Sequence, residues 1–130
     1  MSKRFKYKDN NYLDTTGIVH NKEILKNYLE NVPTYGENNI WKYWKFSNKF
    51  FVAIMPQIEL TYTNGSRDVA LPFKVVKSKS AVSVLLLWQY INAYPTGGLI
   101  DDSTVRINLG NAQSFNGDNQ TTVIVIGEYI

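Results

Sequence analysis

From residue 40 to the C-terminus, the sequence consists of short apolar or alternating runs that turn residues separate from one another. This pattern is typical of antiparallel strands joined by tight turns, and no second helical period interrupts it. The sequence therefore predicts an all-β fold, an antiparallel β-sandwich of jelly-roll-like arrangement. We expect strands near residues 40–46, 50–62, 68–75, 80–90, 104–109 and 121–129.

Glycine, proline and asparagine mark the expected breaks between these strands. Asn64-Gly65 is a hairpin signal, and NGDN at 116–119 predicts a second turn. PTGG at 95–98 is expected to open a loop. Because proline cannot donate to a strand ladder, Pro56 is expected to break or bulge the long run 50–62.

Alternation assigns faces to several of the strands. Val69, Leu71 and Phe73 are expected to share one face, and Val105, Ile107 and Leu109 another, with Thr104, Arg106 and Asn108 in water. The runs 81–88 and 123–126 are almost continuously apolar. Such runs are expected where a strand is covered on both sides, here by the second sheet and by either an N-terminal helix or a neighbouring subunit.

The first third of the chain has a different character. Residues 5–19 are expected to form a short extended segment, and a short helix follows, capped by Asn21 and ended by Pro33. One face of that helix is apolar, and it either docks on the sheet or packs against other copies as a stalk. TYGENN at 34–39 is interpreted as a linker, which gives a connector at 1–36 and a head domain at 37–130.

Composition excludes several kinds of site. The 130 residues include no cysteine and a single histidine, His20, so disulfides and thiolate or multi-histidine metal sites have no basis. A net charge of +3 permits an anionic partner without implying one. No run approaches the roughly 18 apolar residues of a membrane span. We expect no metal, no cofactor, no membrane insertion and no enzymatic activity; a calcium site at Asp101 and Asp102 is a minor alternative.

Aromatic residues form the most conspicuous candidate site. In IWKYWKFSNKFF at 40–51, Trp41 and Tyr43 point to one face of a strand and Trp44 to the other, so one row is expected in the core and one half exposed. A half-exposed ring suits stacking on sugars, bases or a partner chain. A second aromatic set precedes the PTGG loop. The candidate ligand-binding residues are Trp41, Tyr43, Trp88, Tyr90, Asn92, Tyr94, Asp101 and Asp102.

Several short motifs resemble those of head domains on bacteriophage tail fibres and baseplate appendages. WKYWKFSNK at 41–49 is similar to their W-x-Y-x-K-W-x-S-G opening, although Phe46 replaces a tryptophan and Asn48 or Lys49 replaces the turn glycine. VALPF at 69–73 resembles their V-x-F-P strand, and VIVIGEYI at 123–130 their C-terminal ending. Residues 10–32 resemble the connector that precedes such heads.

This resemblance implies a trimeric, all-β host-recognition module that binds a bacterial cell-surface polysaccharide without cleaving it. It further implies a place in the virion tail, with other tail and baseplate proteins as partners and assembly in the host cytoplasm. Multivalent display would compensate for weak single sites.

Three other functions stay open on the sequence alone. Aromatic rings interleaved with lysines at 41–51, together with KVVKSK at 74–79, suit a small β-barrel that binds single-stranded nucleic acid, but the mild net charge disfavours it. A purely structural virion or baseplate subunit would pack all its rings. A small glycosidase, with paired carboxylates from Glu59, Asp68 and Glu128, has the least support.

Overall fold

The computed structural model describes residues 5–7, 11–13, 19–21, 32–87 and 93–130. The chain divides into two compact units, residues 1–33 and residues 34–130. In the first unit, three short strands pair antiparallel in sequence order: β1 (Phe5–Tyr7), β2 (Asn11–Leu13) and β3 (Val19–Asn21). The predicted N-terminal helix falls on residues 22–31, which lie outside the described residues.

The second unit is a β-sandwich, as the sequence predicts. Its strands are β4 (Thr34–Asn38), β5 (Trp41–Lys45), β6 (Phe50–Tyr62), β7 (Ser66–Ala70), β8 (Ala81–Leu86), β9 (Thr96–Leu99), β10 (Thr104–Asn108) and β11 (Gly117–Glu128). One sheet has five strands in the order β4-β5-β6-β11-β8, and the other has three in the order β7-β10-β9. All described pairings within these sheets are antiparallel.

The core lies between the two sheets and follows the predicted alternation. Val105, Ile107 and Leu109 are fully buried, whereas Arg106 and Asn108 are exposed. From the opposite sheet, alternate residues of β6 and β11 fill the same space. These include Phe51, Ala53, Met55, Val123 and Val125, all fully buried. Burial of apolar surface at this interface is the main stabilising contribution to the sandwich.

Strand β6 contains the irregularity that proline predicts. Thr121 of β11 pairs with Ile58, and Val123 pairs with Met55, so Pro56 and Gln57 together oppose the single residue Thr122. The extra residue is a β-bulge, which lets the strand accommodate a residue without an N–H. The predicted bulge is confirmed.

The Asn64-Gly65 hairpin is also confirmed. Thr63 and Ser66 exchange backbone hydrogen bonds of 3.0 and 3.1 Å across the turn. Asn64 has φ +51° and Gly65 has φ +68°, which is the two-residue primed turn that asparagine and glycine favour. The hairpin carries the chain from the larger sheet to the smaller one.

Two segments that the sequence analysis interprets as irregular are strands. Residues 34–38 form the edge strand β4 rather than a linker, and a Cβ on Gly36 would overlap the ring of Tyr43 on β5. PTGG contributes β9 rather than a loop. A Cβ on Gly97 would lie 2.7 Å from Val84 Cγ2, so glycine is present because this backbone approaches the side chains of β8 closely.

Two predicted boundaries are also wrong. The strand expected at 68–75 ends at Ala70, because Pro72 cannot continue a ladder, and Val75 forms only an isolated bridge with Tyr129. The turn expected at 116–119 lies earlier, since β11 already begins at Gly117.

The five-stranded sheet has an apolar face turned away from the core, which we call the outer face. No described element packs on this face in the way that the smaller sheet packs on the other. Leu85 is 56% exposed and Ile126 is 44% exposed. Residues 81–86 and 123–126 are therefore covered on one side only within this part of the chain. The outer face includes Tyr35, Trp44, Phe50, Val52, Ile54, Leu85, Ile124 and Ile126.

Candidate functional site

The two candidate residues on β5 face the core. Trp41 is only 2% exposed, and its indole Nε1 donates a 2.8 Å hydrogen bond to the backbone oxygen of Ala70. Tyr43 is half buried, and its ring packs edge-on against Phe73 with centroids 5.0 Å apart. Trp41 therefore offers no open ring face to a ligand; its visible role is to join the two sheets.

The aromatic row on the other side of β5 is half exposed, as predicted. Trp44 lies beside Tyr35 of β4 with ring centroids 5.3 Å apart, and Tyr35 is 49% exposed. The Tyr35 hydroxyl donates a hydrogen bond to Glu37, which raises the pKa of that tyrosine. This pair lies on the outer face, on the opposite side of the sheet from Trp41 and Tyr43.

The described members of the second candidate set do not lie together. Trp88, Tyr90 and Asn92 lie outside the described residues. Tyr94, which is 69% exposed, precedes β9, whereas Asp101 and Asp102 follow it and therefore lie at its opposite end.

Asp101 and Asp102 have a local structural role in the turn between β9 and β10. Asp101 Oδ1 accepts a 2.8 Å hydrogen bond from the backbone N–H of Ser103, and Asp102 Oδ1 accepts a 2.6 Å bond from the Ser103 hydroxyl. Lys74 lies 3.8 Å from Asp102 Oδ2. Such side-chain bonds to nearby groups are typical of turn-forming aspartates.

Close to Tyr94, the structure contains a surface pocket of about 420 Å³, which we call the amide pocket. It lies where the β6–β7 turn meets the segment after β10. Its volume is in the range of small-ligand sites, roughly 300 to 1,000 Å³. The lining residues are Asn64, Gly65, Asn108, Leu109, Gly110 and Gln113.

Backbone hydrogen bonds hold the walls of the amide pocket in place. Leu109 N–H donates to Gly65 O and Gly65 N–H donates to Phe115 O, both at 2.8 Å. Asn64 N–H donates to the Asn116 side-chain oxygen at 3.0 Å. A Cβ on Gly65 would overlap the backbone oxygen of Ala112, so the two loops approach so closely that only glycine fits.

Tyr94 packs against Gly110, one of the residues that line this pocket. A Cβ on Gly110 would lie 2.7 Å from Tyr94 O and 3.0 Å from Tyr94 Cβ, and Gly110 has φ +58°. The backbone of Tyr94 is thus packed against a lining residue while its ring stays in solvent. An exposed phenol ring on a backbone held in this way is suited to stacking on a ligand.

The chemistry of the amide pocket is neutral and polar. Each of Asn64, Asn108 and Gln113 brings one carbonyl acceptor and an NH₂ donor, and none of the six lining residues is charged. Neighbouring hydroxyls on a sugar present the same combination of donors and acceptors. The pocket is therefore chemically matched to an uncharged polyhydroxylated ligand.

The sequence analysis names Tyr94 as a candidate, which stays a prediction, and does not name the three amides that line the pocket. Asn64 was interpreted as turn chemistry and Asn108 as a water-facing strand residue, and both interpretations are correct locally. The pocket arises because the β6–β7 turn and the residues after β10 meet in space, and no motif in the sequence indicates that contact.

Comparison of the chain with protein-family models, with curated proteins and with solved structures gave no match. In the described part of the chain, no helix is long and apolar enough to cross a membrane.

Proposed function

We propose that this protein is a phage tail appendage subunit that adsorbs reversibly and non-covalently to a saccharide on the bacterial cell surface. The observation that carries the proposal is the amide pocket, an uncharged site whose walls are joined by backbone hydrogen bonds and whose lining residue Gly110 packs against Tyr94. The motif resemblance at residues 41–49, 69–73 and 123–130 supports the same assignment.

Binding at this site needs no bond-breaking chemistry. Amide side chains exchange hydrogen bonds with sugar hydroxyls, and the Tyr94 ring covers an apolar sugar face. Because each net hydrogen bond is worth only about 0.5 to 1.5 kcal/mol, one such site is weak. Display as a homotrimer, on a virion with many copies, would raise the overall affinity through effective concentration.

The proposed setting follows from this function. The protein would act in the virion tail beside other tail and baseplate proteins, after assembly in the host cytoplasm. A bacterial cell-surface polysaccharide would be its external partner.

Saturation-transfer NMR with host cell-wall fragments tests the proposal. Transfer to sugar protons is expected, and Gln113→Ala should weaken binding about 2-fold to 10-fold through loss of one hydrogen bond. Gln57→Ala is the matched control, since Gln57 is an exposed glutamine of the β6 bulge, and should change nothing.

A pair of substitutions at Tyr94 separates stacking from hydrogen bonding. Tyr94→Phe keeps the ring and should bind like the natural protein, whereas Tyr94→Ala should bind several-fold less tightly. If no fragment shows transfer at all, the protein is a structural subunit. If binding falls steeply with added salt, it recognises phosphates of a nucleic acid instead.

A further inference from the structure

A second pocket, of about 260 Å³, lies between the two sheets on the side where β7 forms the edge of the smaller sheet. We call it the arginine cleft. The turn between β4 and β5, with Asn38 and Asn39, forms one wall, and Arg67 and Ala70 of β7 form the other. Trp41, whose indole donates to Ala70 O, fixes the distance between the walls.

Arg67 is the positive group of this cleft. It lies on the same side of β7 as Val69, which is buried in the core, and it is itself exposed. Its Nη1 donates a 3.3 Å hydrogen bond to the backbone oxygen of Thr61 on β6, so the guanidinium reaches from one sheet to the other. A guanidinium has five N–H donors in a planar fork that matches a carboxylate or a phosphate.

Asp68, the carboxylate next to Arg67 on β7, also lines the cleft, but its hydrogen bonds go to a different arginine. Asp68 alternates to the other side of β7, where its two oxygens accept hydrogen bonds of 2.7 and 2.9 Å from Nε and Nη2 of Arg106. The two residues are direct partners in the β7–β10 register. The hydrogen bonds from Arg106, and to a lesser extent the charges of Arg106 and Arg67, lower the pKa of Asp68. Within the described part of the chain, no carboxylate is hydrogen-bonded to Arg67 itself.

Asn38, the last residue of β4, and Asn39, in the turn that follows, line the same cleft as Arg67. Asn39 has φ +50°, which places it in the left-handed region at the tip of the β4–β5 turn. Asparagine tolerates that conformation better than most residues. Amide N–H groups complement the acceptor oxygens of an anion.

We propose that the arginine cleft binds an acidic group, a carboxylate or a phosphate carried by a sugar. This inference rests on the proposed saccharide-binding function, and it names the class of ligand as an acidic glycan. Arg67 lies two residues beyond Gly65, a turn residue that lines the amide pocket, so the two pockets are close along the chain.

The indole N–H of Trp41 reports on the cleft in the complete protein. In ¹⁵N-resolved NMR, titration with glucuronate or glucose 6-phosphate is expected to shift this signal, whereas glucose at the same concentration leaves it unchanged. The acidic sugars should bind at least 10-fold more tightly than glucose. Equal responses to glucose and glucuronate would overturn the inference.

Substitutions test whether the Arg67 side chain binds the acidic group. Arg67→Gln should reduce binding of the acidic sugars by 10-fold or more, and Arg67→Lys should retain part of it because the charge remains without the fork. Lys77→Gln removes the same charge from an exposed lysine outside the cleft and should have no effect. Equal losses in Arg67→Gln and Lys77→Gln would show only a general attraction by net charge and would contradict the proposed site.

Inorganic phosphate distinguishes failure of this inference from failure of the proposed function. If phosphate alone binds as tightly as glucose 6-phosphate, the cleft is an anion site and the acidic-glycan assignment is wrong. If cell-wall fragments bind through the amide pocket but Arg67→Gln has no effect, the saccharide function holds and the arginine cleft inference fails.

Discussion

Lys49 has a backbone conformation that lysine rarely adopts. It lies in the turn between β5 and β6 with φ +73°. An L-residue in the left-handed region costs roughly 1 to 2 kcal/mol relative to glycine. We expect the free energy of unfolding of Lys49→Gly, measured by urea titration, to exceed that of Lys49→Ala by about 1 kcal/mol. Both variants lose the lysine side chain, so equal stabilities would show that the turn is unstrained.

Asn119 is a buried amide in the core. It is 2% exposed, and neither its Nδ2 nor its Oδ1 has a hydrogen-bond partner in the structure. An unsatisfied buried polar group costs about 1 to 3 kcal/mol. Asn119→Leu, which has a similar size, is therefore expected to raise the free energy of unfolding by about 1 kcal/mol in urea titration. A loss of stability would mean that the amide is hydrogen-bonded in solution.

At the scale of the strands, the Asp68–Arg106 pair links β7 to β10 and gives the smaller sheet a dependence on pH. The Arg106 hydrogen bonds hold the pKa of Asp68 below its ordinary value, which is about 3.9 in unfolded chains. Asp68 therefore stabilises the folded state above that value, and the contribution is lost as the pH falls through the lowered pKa.

The corresponding test compares the natural protein with Asp68→Asn from pH 7 down to pH 2. The difference in free energy of unfolding between the two proteins should be constant near neutral pH and disappear in acid. Because both side chains are nearly half exposed, 1 M salt should also reduce it. Arg106→Gln should remove the same pH-dependent difference. A difference that persists at pH 2 would show that Asp68 acts through packing rather than charge.

Strands that carry a local signal could be predicted from the sequence, and those defined by distant contacts could not. Asn64-Gly65 specifies its turn by backbone conformation, and Pro56 specifies a bulge by its missing N–H, so both were predicted. Gly97 is interpreted as a loop residue from the sequence, but it lies in a strand, where the absence of a side chain allows close approach to Val82 and Val84 of another strand. The amide pocket was missed for the same reason: its walls meet only after folding.

At the scale of the whole molecule, the outer face of the five-stranded sheet carries several exposed apolar side chains that the proposed binding sites do not use. Tyr35, Phe50, Leu85 and Ile126 are all at least 40% exposed there, and they extend from the edge strand β4 to the other edge β8. Monomeric proteins rarely expose contiguous apolar patches beyond a few hundred Å², and larger ones mark interaction sites. Packing of this face against other copies would fit the proposed homotrimer.

We expect light scattering at micromolar concentration to give the mass of three chains. Leu85→Lys combined with Ile126→Lys places two charges on the outer face and should lower that mass while circular dichroism stays strand-rich, because a charge buried at an interface is costly. Asn111→Lys, at an exposed turn position, is the control and should stay trimeric. An unchanged mass with reduced stability would mean that the face is covered within one chain. A monomeric natural protein would remove multivalency from the proposed mechanism, and each saccharide site would then have to bind tightly by itself.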